Sequence, residues 1–561
     1  MIEHKNQLFI QPLMDEICVA WQEMNKKPLT HLRFQHFMTY FSTGNRLKHG
    51  EDYFARRKEL LVAGLYAIEK GTPASIEKLE EVIFLILQEY TWALPAHLDE
   101  NQLNSQEVIG CIDLFAAETA QALAEISYQL HDKLSPILLS FINYEIERRI
   151  LKPFETKAWE WELKENNWSA VIAGCIGMVT LRMIDDVKRR TKILARLDTA
   201  FQSFLRGFGD DGACVEGVGY WIYGFGYYIY YAETLAEVTG DLTYFQLPKI
   251  KAIAEFPYYT EISANRFPPF SDYNQTSLPS GLLAIIKQRL QVLLPEVTAV
   301  SALDSDHCYR FASMIFNLKF SEPIKRQAEN QTVHYFKDSQ WLVVRDLKKE
   351  VFFAAHGGRN DESHNHNDLG HFVYGDFEQL ALTDLGAGEY TKDYFNDDKR
   401  YQYFVNNARS HSLPIINGET QQAGAYQAEV IQFEQTASEV SLTFELKSAY
   451  PKNLELLSFQ RSFSLNLSSY QLTIRDFFHF STEENQVIEN FITTQQVEIE
   501  AQKEAVFKGK KFTTRLSTPT TIEVISEDYV NHFGKNNVAY QIQNQFNIGQ
   551  ECELVYQIDK E

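Results

Sequence analysis

Over the first ~320 residues, apolar positions recur at helical spacing and polar breaks between them are short. EVIGCIDLFAAETAQALAEISYQL, from Glu107 to Leu130, is one such run, and SPILLSFINYEIERRILKPF is another. The second opens on Ser135 and Pro136, a cap and first-turn pair. DDVKRRTKILARLDTAFQSFL, GYWIYGFGYYIYYAETLAEVTG and SGLLAIIKQRLQVLLPEV continue the pattern, and Gly240 stands where a helix C-terminal glycine would. Many consecutive helices of this kind predict helical hairpins stacked into a solenoid or ring. The Pro- and Asn-rich stretch from Phe256 to Asn274 reads as a long loop among them.

Near Gln331 the period changes. TVHYFKDSQWLVVRD, VFFAAHGG, HFVYGDFEQLALTD, EVIQFEQT, EVSLTFELKSAY, FQRSFSL and YQLTIRDFFHF are short β-branched and aromatic runs separated by turns. They predict an all-β sandwich to the C-terminus. The boundary falls at Ala328, giving a helical domain over 1–327 and a β domain over 328–561. A chain of 561 residues is long enough to require two cores.

Composition narrows the partners. Hydrophobic residues make up 45% and charged residues 23%, as in an ordinary water-soluble protein. The formal net charge of −22 argues against nucleic acid or an anionic membrane as the main partner. An anionic substrate is still compatible, because a cleft can carry a local field opposite to the global one. The 39 Phe, 29 Tyr and 7 Trp include flat rings with polar tips that suit sugar faces. Six scattered cysteines without a CxxC pair predict reduced thiols. No signal peptide or membrane span is legible, so the expected location is cytoplasmic. A second copy of the chain stays among the possible partners.

The stretch SHNHNDLGHF holds His364 and His366. If its backbone is extended, both rings face the same way, one as a metal ligand and the other towards a cleft. Asp384 follows a strand and precedes a Gly-rich turn, and His411 begins another apolar strand. His366, Asp384 and His411 make an N/O ligand set suited to zinc or a similar divalent ion. Taken singly, Asp384 reads as a turn cap and His411 as a core histidine. In the helical half, Asn166 or Asn167 caps the helix that Trp168 enters. Glu216, Tyr220 and Tyr223 read as one helix, with Glu216 and Tyr220 on one face. HExxH, P-loop, GxSxG and strand-borne GxGxxG motifs are absent from the sequence.

Four segments in order resemble the heparinase II/III-like polysaccharide lyases: DLFAAETAQALAEI; NNW at Asn166–Trp168; DGACVEGVGYWIYG; and HNHNDLGHF with TDLGAGEY and SHS. Heparin, heparan sulfate and oligoalginate lyases belong to that family. The resemblance implies an incomplete (α/α) toroid followed by an antiparallel β-sandwich. It also implies β-elimination on uronic-acid glycans such as heparan sulfate, hyaluronan or chondroitin, with 4,5-unsaturated products. Carried over by position, Asn167 matches the carboxamide on the uronate carboxylate, Tyr220 the catalytic tyrosine, and His364 the catalytic histidine. His366, Asp384 and His411 match the metal ligands, most often of Zn2+.

Trp168 departs from the pattern, because relatives often place a histidine base there; this leaves more of the proton transfer to Tyr220, as base, acid or both. Tyr223 is the alternative tyrosine. Trp168, Glu216, Tyr223 and Arg359 are the candidate substrate contacts, Arg359 as a cation able to lower a tyrosine pKa. The alternatives are an oligoalginate lyase, a non-catalytic glycan-binding protein and an (α/α) glycoside hydrolase, for which only Glu216 offers an obvious acid.

Overall fold

Local caps set the helices of the N-terminal part. Asn6 Oδ1 accepts from Phe9 N at 3.1 Å, Asp113 Oδ1 from Ala116 N at 2.7 Å and Asp186 Oδ1 from Lys188 N at 2.9 Å, opening Gln7–Asn25, Leu114–Gln129 and Val187–Arg206. The run that the sequence places in one helix from Glu107 therefore starts seven residues later, at Leu114, because Asp113 captures the first-turn amide. Asn166, not Asn167, caps Asn167–Met183, through a 3.2 Å bond from Trp168 N. That helix is apolar nearly all round and correspondingly buried nearly all round. Among the described residues no helix is long and apolar enough to cross a membrane.

A computed structural model describes residues 3–103, 106–327 and 330–561 of the chain. The sequence boundary at Ala328 falls outside these described residues. Two compact units emerge. One comprises Met1–Phe208, Gly219–Glu255 and Thr276–Gln327, and is helical. The other comprises Gly209–Val218, Phe256–Gln275 and Ala328–Glu561, and contains the strands.

Two expectations are corrected. Glu216 is not on a helix with Tyr220: it sits in a turn that Gly217 ends at φ 88°, a conformation a side-chain-bearing residue rarely adopts. The helix then starts at Val218 and passes at Trp221–Phe225 into a π-helical turn. The stretch from Phe256 is not all loop either, since Ile250–Thr260 is a helix with Pro257 inside it. Pro257 has no N–H for the carbonyl of Ile253, and the Trp221 indole N–H donates to that carbonyl instead, at 2.6 Å. The helix survives its proline because the orphaned acceptor is satisfied.

The strand-bearing unit is antiparallel throughout. A five-stranded meander runs Gln331–Phe336, Trp341–Asp346, Val351–His356, Phe372–Asp376, Leu380–Leu382. Trp341–Asp346 and Val351–His356 are buried on both faces, as their continuous apolar runs require. An eight-stranded and a four-stranded sheet complete the unit. Leu456–Asn466 shows the alternation of a one-sided strand, with Phe459, Arg461, Phe463 and Leu465 on the buried face.

Arg461 is a guanidinium in that core. It pairs with Asp476, from Nε at 2.8 Å, and with Glu489 at 3.2 Å. Burial, together with Asp476, pushes the Glu489 carboxyl well up, which favours its neutral form beside the Arg461–Asp476 pair. Arg461 also donates to the carbonyls of Gly370 and Ser412, fastening the two segments that carry the histidines described next.

Candidate active site and metal centre

Adjacent strands Val351–His356 and Phe372–Asp376 are joined by a loop, not a tight turn, and SHNHNDLGH lies within it. Its neck is closed by backbone bonds between His356 and its counterparts, His356 N to His371 O at 3.1 Å and Gly370 N to His356 O at 2.9 Å. The segment is not extended: His364 has φ 60°, and turns follow it. A non-glycine residue at that angle is strained, and persists only where its surroundings over-determine it.

Inside the loop and beside it, His366, Asp368, Asp384 and His411 converge, fully or almost fully buried, with ligand atoms within 4.8 Å of one another. His366 Nδ1 lies 3.2 Å from His411 Nε2, which is 3.4 Å from Asp384 Oδ2 and 3.9 Å from Asp368 Oδ2. Ligands at 2.0–2.1 Å from a tetrahedral ion stand about 3.3 Å apart, so these spacings fit a divalent cation.

The outer atoms of each ligand agree. His366 Nε2–H donates to Asp272 Oδ1 at 3.2 Å and His411 Nδ1–H to Asn407 O at 3.0 Å, so each ring turns a lone pair inward. Asp384 spends Oδ1 on Gly386 N at 2.9 Å, while its Oδ2 and that of Asp368 are buried without a hydrogen-bond partner. Burial would raise both carboxyls, but the surrounding histidines hold them below their ordinary range, so both are anionic. Two further imidazoles flank the carboxylates: His356 Nε2 is 3.3 Å from Asp368 Oδ2 and His371 Nε2 is 3.5 Å from Asp384 Oδ2.

His364 stands at the edge of this cluster. Its Nδ1–H donates to Asp272 Oδ2 at 2.8 Å, and Asp272 N donates back to His364 O at 3.2 Å. Asp272 is fully buried, with Arg400 Nη2 at 3.0 Å from Oδ2 and the Tyr394 hydroxyl donating to Oδ1. Burial alone would raise the Asp272 carboxyl, yet Arg400 and the two imidazoles hold it well below the carboxylate range. On the other side of the His364 ring, Nε2 lies 3.8 Å from Glu216 Oε2. Burial pushes Glu216 up to about 7, against the opposing pull of His364.

The remaining sequence-derived candidates sort by unit. Arg359 is half-exposed and forms a two-pronged pair with Asp361, at 2.8 Å from each oxygen. In the helical unit, Asn167 is buried at the first turn of its helix, its Oδ1 without a hydrogen-bond partner. Trp168 is half-buried, with Lys164 Nζ 4.8 Å from its ring centroid and the His97 ring 4.9 Å away, edge-on. Tyr220 ends its short helix, half-exposed. The Arg310 guanidinium lies over the Tyr223 ring, 3.9 Å from its centroid; the hydroxyl is buried, and burial, with Glu118, pushes it well above the usual phenol range. Gly224 lets the π turn lie against Asn167, whose Cα would be 3.2 Å from an added Cβ.

The structure thus brings His366, Asp384 and His411 together, with His364 beside them. Residues that sequence reasoning missed are Asp368, Asp272, Arg400, Tyr394, His356 and His371. Asp368 was legible in principle, two positions after His366 in the same stretch.

No family model and no curated protein sequence matches the chain. Solved structures do match in shape. The heparan sulfate lyase HepC of Pedobacter heparinus aligns with TM-score 0.61 at 10% identity, over 97% of this chain and 87% of its own. A heparinase III aligns with TM-score 0.62 at 11% identity, over 100% and 93%. The chondroitin AC lyase of Streptomyces coelicolor A3 aligns with TM-score 0.56 at 10% identity, over 99% and 80%. The fold is that of the heparinase III-like lyases. In this lyase fold the helical unit is the incomplete (α/α) toroid and the strand-bearing unit the antiparallel β-sandwich.

Proposed function

We propose that the protein is a polysaccharide lyase that cleaves uronic-acid glycans, glycosaminoglycans first among them, by β-elimination. The observation that carries the reading is His364, held by a buried carboxylate beside a metal-competent cluster, on a fold shared with glycosaminoglycan lyases. His366, Asp384 and His411, with Asp368 beside them, would hold the ion, and Zn2+ suits their nitrogen and oxygen donors. The ion's contribution is to fix the loop.

The reaction breaks the C5–H and C4–O bonds of the uronate and forms a C4–C5 double bond without adding water. Asn167 and His364 hydrogen-bond the carboxylate and stabilise the charge that develops on it. Tyr220 takes the C5 proton and returns one to the leaving oxygen. Glu216, whose carboxyl burial pushes up to about 7, donates to a uronate oxygen in its protonated form, where an ionised acid would repel it. Trp168 offers a sugar-stacking face. Tyr223 and Arg359 are left out, the first because its hydroxyl is buried and hard to ionise, the second because Asp361 holds it.

The test is incubation with heparin, heparan sulfate, hyaluronan, chondroitin sulfate and alginate. Growth of near-UV absorbance is expected, and its loss by about 10²–10⁴-fold in His364→Ala and Tyr220→Phe but not in Tyr223→Phe. New reducing ends without that absorbance would establish hydrolysis instead.

A further inference from the structure

We propose that Asp272 is a positioning residue that couples the metal cluster to His364. The two histidines share one carboxylate: Oδ1 takes the His366 ring and Oδ2 the His364 ring. Other contacts place Asp272 as well. It is fully buried, and Arg400 Nη2 spans it and the carbonyl of Asn365, the residue between the histidines, at 3.0 and 2.9 Å. Tyr394 donates to Oδ1 and accepts from Asn406 Nδ2 at 3.0 Å. The backbone closes the clamp through Asp272 N and His364 O.

One end of that backbone clamp, His364 at φ 60°, and the residue before the other, Ser271 at φ 59°, are strained. Ser271 is pinned in turn by a 3.0 Å bond to Val215 O. Strain of this kind, about 1–3 kcal/mol per residue, relaxes when its restraints go. His366 can aim Nδ1 into the cluster only while Nε2–H has its acceptor on Asp272. A ligand pulled towards an ion therefore sets the carboxylate, and the carboxylate sets His364. Asparagine at 272 keeps one acceptor oxygen and loses the other, so it breaks one arm of the bridge without changing its shape.

The inference rests on the metal and lyase reading, but its decisive readout is Zn2+ affinity of the full-length chain, measured by competition with a chelator. Asp272→Asn, not itself a ligand, is expected to weaken Zn2+ binding by about 10–100-fold. His364→Ala, also not a ligand, is expected to change it by about fivefold or more in the wild-type background and not at all beside Asp272→Asn. An unchanged affinity in His364→Ala, or an equal effect in both backgrounds, overturns the coupling. On the glycan panel Asp272→Asn lowers kcat and leaves KM near wild type, a split that loss of folded protein would not produce. If Asp272→Asn fails to fold because Arg400 loses its counter-charge, Asp272→Asn with Arg400→Gln carries the same measurement. A wild-type chain inert on every glycan refutes the lyase reading and leaves the Zn2+ affinities to decide the coupling.

Discussion

Burial brings the Glu216 carboxyl into the neutral pH range. Its ordinary pKa of 4.5 rises to about 7 in the folded protein, chiefly through burial. Below 4.5 the folded and unfolded chains both carry it neutral, and it costs nothing. Between there and about pH 7 the unfolded chain ionises it and the folded chain does not, so stability falls as pH rises, by on the order of 3 kcal/mol once the loss is complete. Glu216→Gln is expected to flatten that fall and to make the protein more stable than wild type at pH 8, as read by denaturant unfolding across pH. A variant whose stability tracks wild type across the range would show the carboxyl to be ionised in place.

The neighbours of Glu216 also show what a sequence gives away. His364 and His366 stand out because two imidazoles one residue apart are conspicuous, and Asp384 and His411 because each touches a strand and a turn. Asp272, 92 residues before His364, carries no such signal: it is one aspartate in a Pro-rich stretch, and its meaning arises only when the chain folds.

At the scale of elements, periodicity finds the long helices and the alternating strands because burial on one face imposes it. It does not find the breaks. The positive φ of Gly217 and the π turn at Trp221–Phe225 both interrupt a run that reads as one helix, the first between Glu216 and Tyr220 and the second around Tyr223. Pro257 looks like a helix terminator until the Trp221 indole is seen to satisfy Ile253 O. Close packing is equally silent in sequence. A Cβ at Gly224 would stand 2.7 Å from Phe204 Cε2 and 3.2 Å from Asn167 Cα. Gly224→Ala is therefore expected to cost about 1–3 kcal/mol in chemical denaturation, and to lower lyase activity beyond the loss of folded protein by displacing Asn167. Wild-type activity per folded molecule would show that Asn167 tolerates the shift.

At the scale of the whole molecule, the proposed function would set a net charge of −22 against a polyanion. Long-range repulsion should slow the approach of a polymeric glycan, and salt should relieve it, because the screening length falls from about 30 Å at 0.01 M to about 8 Å at 0.15 M. The expected outcome is a kcat/KM on long chains that rises with salt over that interval, more than on a disaccharide-sized substrate. A steep fall would mean that a local positive field outweighs the global one.

The wide spacing of the buried cluster along the chain has a kinetic meaning. His366, Asp384 and His411 come from separate segments, and Asp272 from far upstream, so no early fragment of the chain contains this cluster. Closing loops over such separations costs chain entropy before the contacts reward it. An ion that binds only the finished arrangement leaves the climb to the transition state unchanged and deepens the well behind it, so it acts as a latch on unfolding, not as a template for folding.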